Sequence, residues 1–192
     1  LVGSEMCIRD RYDGIAVLNS ADFDEKQLED KISSIAQVDK SMLMQSTDGI
    51  AENESENQSV SMIVPKTPEN MGDYIDLVSA ENGSNLEVKS GSVIITQKLA
   101  KLLDLKTGDT ITIKLSGHEE KEFKIGGVSK NYALHYIYIT PDDFESVYGE
   151  KPVYNLSFID LKKDTDENSF KEQLISNDEF YGISFKNDSS RG

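Results

Sequence analysis

The sequence predicts an α+β fold: a split βαβ lobe assembled from the two ends of the chain, with a small, mainly antiparallel β lobe inserted between its halves. Three observations predict it. A strand, helix, strand pattern fills residues 12–65, the same pattern recurs from residue 153, and the stretch between them alternates apolar and polar residues with a period of two, punctuated by glycine and proline. Neither βαβ unit buries its apolar face alone. Together they make an antiparallel sheet of strand order 4-1-3-2, the ferredoxin-like arrangement. The expected division is residues 12–65 and 153–187 for this lobe, 66–152 for the inserted lobe and 188–192 for a tail. In such a sheet the first strand starts, and the last finishes, at one end, so the chain enters and leaves together.

Taken in order, "YDGIAVLN" (12–19) is an apolar run of strand length. Asp22 is placed as an N-cap with Glu25 three residues on, and Leu28, Ile32 and Ile35 line one helical face. A strand around 41–46 carries Met42 and Met44, the acidic stretch 51–59 reads as an exposed loop, and Val60, Met62 and Val64 belong to a strand stopped at Pro65. In the insert, Val93, Ile94 and Ile95 form a short strand, and Leu99, Leu102 and Leu103 give the following helix a buried stripe closed by Leu105. Gly108 supplies the positive φ of a turn over 106–109, a structural corner. Ile111, Ile113 and Leu115 alternate with polar residues, "SGHEE" turns the chain back through Phe123 and Ile125, and Gly126-Gly127 marks a bulge. "HYIYI" (135–139) is a strand. "TPDDFESVYG" is a helix with Thr140 as N-cap, Pro141 first, Asp143 completing the capping box and Gly149 as stop. Past 153, "VYNLSFIDL" and "FYGISFK" are strands flanking a helix that carries Phe170 and Leu174.

Acidic residues outnumber basic ones 35 to 20, and a net charge of −15 repels a phosphate backbone, which excludes nucleic acid as a partner. No run reaches the roughly 18 to 20 apolar residues that cross a bilayer. Back-translated, Glu5 to Asp10 can read GAG ATG TGT ATA AGA GAC, which resembles a transposon end used to prepare sequencing libraries. Residues 1–11 are therefore set aside as a non-native artefact. With them go Cys7, Arg9 and Arg11, leaving one arginine, Arg191, beside seventeen lysines. Such usage suits an AT-rich bacterial genome and an extracytoplasmic domain without disulfides, exported by a segment upstream.

Catalytic and cofactor-binding signatures are sparse. There is no GxSxG, HExxH, CxxC, P-loop or GxGxxG, and the two histidines, His118 and His135, have no recognisable partner, so no catalytic, cofactor or metal residues are assigned. Asp164, Asp166 and Asn168 imitate the start of a calcium loop, but Ser169 and Ile175 stand where glycine and a bidentate glutamate belong; helix capping accounts for them, as it does for Asp142 and Asp143. The sequons at Asn53, Asn57, Asn82 and Asn187 mark polar loops. Tyr132, Tyr136 and Tyr138 form the candidate partner-facing cluster. Period-two spacing puts Tyr136 and Tyr138 opposite His135, Ile137 and Ile139, so the tyrosines either present an amphipathic patch or pack against a neighbouring element.

"ITQKLAKLLDLKTGDTITIKL" (95–115) followed by "FKIGGVSKNYALHYIYITPDDFESVYGEKPVYN" (123–155) resembles the extracytoplasmic domain of FtsX-like (MacB-type) ABC transporter permeases, in particular those of Gram-positive bacteria. The similarity is strongest over 91–161 and weaker at "YDGIAVLN" and "FYGISFKND". Its first half also occurs in swapped-hairpin transcription regulators, which bind DNA through basic surfaces that this acidic chain lacks. The resemblance implies a porter-like, membrane-proximal βαβ lobe and a small β lobe on the extracellular side of the cell membrane. It also implies a non-enzymatic role: relaying motion driven by a cytoplasmic ABC ATPase subunit and contacting a peptide, lipid or envelope-protein partner. No cofactor belongs to this domain, since the separate subunit uses the ATP. A stand-alone bacterial surface binding module or adhesin is the alternative, and an envelope hydrolase a further rival.

Overall fold

In the computed structural model, which describes residues 11–131 and 134–186, the chain forms two units. The first comprises residues up to Met44, Asp73–Ile75 and residues from Val153 on; the second comprises Gln45–Gly72 and Asp76–Pro152. The boundary expected at residue 65 therefore falls at Met44. The reason is the length of one strand: β2 (Val38–Glu52) runs through the stretch read as ending near 46 and on into the stretch read as a loop, of which only 53–56 remains a turn.

The first unit pairs β2 up to Met44 with β8 (Leu156–Leu161), β8 with β1 (Gly14–Leu18), and β1 with β9 (Phe180–Phe185), every pairing antiparallel. Read from the β9 edge this is the expected order 4-1-3-2. Two helices, α1 (Glu25–Ser34) and α4 (Glu167–Ile175), supply Leu28, Ile32, Phe170 and Leu174 to a core shared with Ala16, Leu43, Ile159, Ile183 and Phe185. α1 begins at Asp24, not Asp22: Asp24 accepts from the Gln27 N–H at 2.8 Å while Gln27 Oε1 accepts from the Asp24 N–H at 2.9 Å, a capping box that Asp22 and Glu25 do not form. Asp22 instead exchanges hydrogen bonds with Asn19. Asp166 caps α4, accepting from the backbone and hydroxyl of Ser169, and these bonds hold its carboxyl below the usual range.

The opposite face of this sheet is covered by a segment the sequence reading left in the inserted lobe. Tyr74, 3% exposed, stacks on Phe158 with ring centroids 5.1 Å apart and planes 8° from parallel. Its carbonyl accepts from the N–H groups of Arg11 (2.7 Å) and Tyr12 (3.1 Å). Burial, reinforced by Asp73, Asp160 and Asp39, pushes its phenol up to about 12.

The second unit contains the remainder of β2 together with β3 (Asn57–Pro65), β4 (Val93–Thr96), β5 (Thr110–Leu115), β6 (Glu120–Ser129) and β7 (Tyr136–Tyr138). Its pairings run β3-β7-β4-β6-β5-β2, and β2 also pairs with β3, so the sheet closes on itself. Closure removes the unpaired edges that an open sheet would expose. The β3–β7 and β4–β6 pairings are parallel; β2–β5, β5–β6 and β4–β7 are antiparallel. Inward-facing Val60, Met62, Ile95, Ile111, Ile113, Leu115, Ile125 and Ile137 form the core, joined by Leu99 and Leu103 of α2 (Gln97–Leu103) and Phe144 of α3 (Pro141–Tyr148). Leu102, expected on the buried stripe, is 39% exposed, because α2 lasts only seven residues and points Leu99, Ala100 and Leu103 inward. Gly126 is the extra residue opposite β4, whose register steps from Ile125 to Gly127, as the glycine pair predicted. Thr140 caps α3, but Asp143 does not turn back to it; its carboxylate accepts from the Gly91 N–H at 2.7 Å.

Gly108 adopts φ +97°, donates to the Ile125 carbonyl at 2.9 Å and sits in a turn closed by Asp109, whose Oδ2 accepts from the Lys106 N–H. Thr107 beside it bonds through backbone and hydroxyl to the Glu81 carboxylate. A Cβ at 108 would meet nothing within 4 Å, so only backbone conformation opposes a side chain there. Gly108→Val is expected to cost about 1–3 kcal/mol, read as a lowered thermal midpoint; an unchanged midpoint would contradict the corner.

Candidate functional site

The described chain ends meet within the first unit. Gly14, which opens β1, stands in register with Phe185, which closes β9, and the Lys186 N–H donates to the Asp13 carbonyl at 2.9 Å. The contact is close enough that a Cβ on Gly14 would lie 3.0 Å from the Ser184 carbonyl and 3.1 Å from Phe185. Tyr12 packs its ring 5.2 Å from Phe158 and receives the Lys186 ammonium 5.5 Å above it. Lys40 lies 5.6 Å from the Tyr74 ring. Rings and amines thus tie the incoming and outgoing backbone to the central strands at this end of the sheet. The apolar run at 12–19 pointed to the strand; nothing in the residue pattern pointed to Tyr74.

In the second unit an open depression of about 540 Å³ is lined by Asp48, Gly49, Ser59, Val60, Ser61, Lys98, Leu134, His135 and Tyr136. Its floor is β3, where Ser61 donates to Asp48 Oδ1 at 3.4 Å and stands in register with Tyr136. Buried Thr96 holds two of the lining residues in place, donating to the Leu134 carbonyl at 2.6 Å and accepting from the Tyr136 N–H at 3.1 Å. His135 Nδ1 lies 3.1 Å from the Ser59 carbonyl, which selects the tautomer with its proton on Nδ1. Hydroxyls, an exposed ammonium, a carboxylate and the exposed Leu134 equip the depression for polar recognition beside an apolar contact.

Of the tyrosine cluster, Tyr136 reaches this depression half-buried, whereas Tyr138 is 4% exposed and cannot face a partner. The two rings meet edge to face at 6.1 Å. Tyr138 is buried although it alternates with the core residues Ile137 and Ile139, because both faces of β7 are covered at that position. Tyr132 lies outside the described residues, as do Cys7, Asn187 and Arg191. His118 sits elsewhere, between the Glu150 carboxylate at 2.5 Å and the Ser116 carbonyl at 3.0 Å. With acceptors at both ring nitrogens its cationic form is favoured, and the Glu150 bond, then the carbonyl, raises its pKa above the ordinary value. Among the described residues no group of three or more His, Cys, Asp or Glu side chains is placed to hold a metal ion.

No family model and no curated protein matches the sequence. Solved structures do match the fold. The periplasmic region of MacB from Actinobacillus actinomycetemcomitans superposes over 100% of this chain and 97% of its own, with a TM-score of 0.56 at 11% identity. The extracellular domain of the noncanonic ABC-type transporter YknZ from Gram-positive bacteria covers 90% of this chain and 98% of its own, with a TM-score of 0.52 at 15% identity. The chain shares the α+β fold of these two domains.

Proposed function

We propose that this chain is the outward-facing domain of an ABC transporter permease subunit, held at the cell membrane on the extracellular side. The observation that carries the proposal is the meeting of Gly14 and Phe185 at one end of the first unit. A domain strung between two membrane helices needs its incoming and outgoing strands at a common end, and here they are hydrogen-bonded neighbours. The fold shared with the periplasmic region of MacB and with the extracellular domain of the transporter YknZ supports the same reading. Among the described residues no helix is long and apolar enough to cross a membrane.

In this role the domain performs no chemistry. A separate cytoplasmic subunit hydrolyses ATP, the membrane helices move, and the paired backbone at Asp13, Gly14, Phe185 and Lys186 transmits that movement to the first unit. The depression beside Tyr136 and Lys98 contacts a peptide, lipid or envelope-protein partner. The test is topological: in the intact gene product, protease added outside whole cells should cleave within residues 11–186, and an ATPase should co-purify from detergent-solubilised membranes. Recovery in the cytosol, shielded from the protease, would overturn the proposal. Outside cleavage without an ATPase would favour a stand-alone surface binding module.

A further inference from the structure

One side chain fastens the turn between β5 and β6 to the end of α3. His118 stands in that turn, where its N–H donates to the Leu115 carbonyl at 3.0 Å and Gly117 before it takes a positive φ of 78°. Its imidazole meets the Tyr148 ring edge to face, centroids 5.0 Å apart, and Tyr148 in turn packs on Phe144 and Phe123. So seated, the ring presents Nδ1 to the Ser116 carbonyl at 3.0 Å and Nε2 to Glu150 Oε1 at 2.5 Å. Both neighbours are acceptors. An imidazolium, with a proton on each nitrogen, satisfies the two together; a neutral ring has a single N–H and must turn a lone pair on one of them. The turn holds the Ser116 carbonyl in place. The Glu150 side chain is 56% exposed, on the irregular stretch by which the chain leaves the second unit at Pro152, so Glu150 is the contact that yields. The other charged and titratable groups around the ring are Lys114, whose ammonium donates to the His118 carbonyl at 3.0 Å, Tyr148, and, next in sequence to the two partners, Glu119 and Lys151. Burial pushes the Tyr148 phenol up to about 12, which keeps it neutral while His118 titrates.

We propose that His118 and Glu150 form a protonation-controlled clasp: the charged imidazole ties the β5–β6 turn to the chain leaving α3, and loss of its proton frees Glu150 and the residues beyond Gly149. The clasp stands on contacts within the second unit and does not depend on the transporter reading. The bond to Glu150 first, then the Ser116 carbonyl, raise the His118 pKa above 6.5, while burial and Lys114 oppose the rise. A base whose folded-state pKa is raised contributes its stability in full below the unfolded value and loses it as pH climbs through the folded value. The clasp is thus closed at about pH 6 and opens as pH rises from there through the raised value.

The test uses the full chain, with the His118 ring signals assigned through its backbone and followed by NMR from about pH 5.5 to 9. The His118 midpoint should lie above 6.5, and Glu150→Gln, whose amide oxygen still accepts from Nε2, should lower it. Amide exchange then reads the clasp itself, at the His118 and Gly149 N–H groups that bond to the Leu115 and Glu145 carbonyls. Their protection, corrected for the intrinsic pH dependence of exchange, should fall by about twofold to fivefold as pH crosses the midpoint, the range of an ion pair open to solvent. In His118→Gln it should stay level. A His118 midpoint at or below 6.5, one that Glu150→Gln leaves in place, or protection that does not follow the titration overturns the clasp. If His118→Gln fails to fold, the natural chain and Glu150→Gln decide alone.

Discussion

Phe170→Ala is expected to lower the unfolding free energy of the first unit by about 3–5 kcal/mol, the largest single effect anticipated for this chain. Phe170 is 1% exposed and belongs, with Leu174 one turn later, to the stripe that α4 lays on the sheet against Ile159 and Phe185. Truncation removes the transfer energy of the ring and leaves a cavity in a core drawn from four strands and a second helix, which cannot close it without giving up their own contacts. Since whole domains are stable by only about 5–15 kcal/mol, denaturant titration should show the midpoint fall sharply or the unit fail to fold. A loss below about 1 kcal/mol would mean that α4 does not cover this face.

Leu99→Ala should destabilise the second unit by about 2–5 kcal/mol, whereas Leu102→Ala, three residues along the same helix, should change stability by no more than about 0.5 kcal/mol. Leu99 is 0% exposed inside the closed sheet, and Leu102 faces outward. The pair measured by the same thermal or denaturant unfolding tests the orientation of α2 directly. Equal losses would return Leu102 to the buried stripe.

That pair also shows where residue patterns stop being informative. A helix of seven residues makes barely two turns, so Leu99, Leu102 and Leu103 are all compatible with one stripe, and only the approach of the surrounding strands decides which of them turns outward. Longer signals read correctly: the recurring βαβ pattern yielded the strand order of the first unit, and the punctuation at Gly108, Gly126-Gly127, Thr140 and Gly149 marked turn, bulge, cap and stop where the backbone has them. The length of β2 was not legible, because residues 45–52 mix polar and apolar types and acquire their strand partners only when β5 and β3 close the sheet. Nor was the cover provided by Tyr74. An aromatic residue in an irregular polar stretch has no periodicity to betray it, and its stacking on Phe158 joins positions 84 residues apart in the chain.

The candidate sites divide in the same way. Meeting chain ends follow from topology, so strand order alone foretold them. The depression depends on which short side chains floor it and which larger ones wall it: Ser59 and Ser61 lie on β3, Leu134 just before β7 and Tyr136 within it, with Lys98 reached from α2. Those residues are distant in sequence, and of them only Tyr136 and His135 drew attention beforehand. The alternation that singled out Tyr136 equally favoured Tyr138, and burial separates the two.

The juncture between Gly14 and Phe185 also fixes how little room the unit takes where it joins its flanking sequence. Adjacent strands lie about 4.8 Å apart, close to the step between successive Cα atoms in any polypeptide. A host protein could accept the whole cassette within a single surface turn, its own backbone barely spread by the graft.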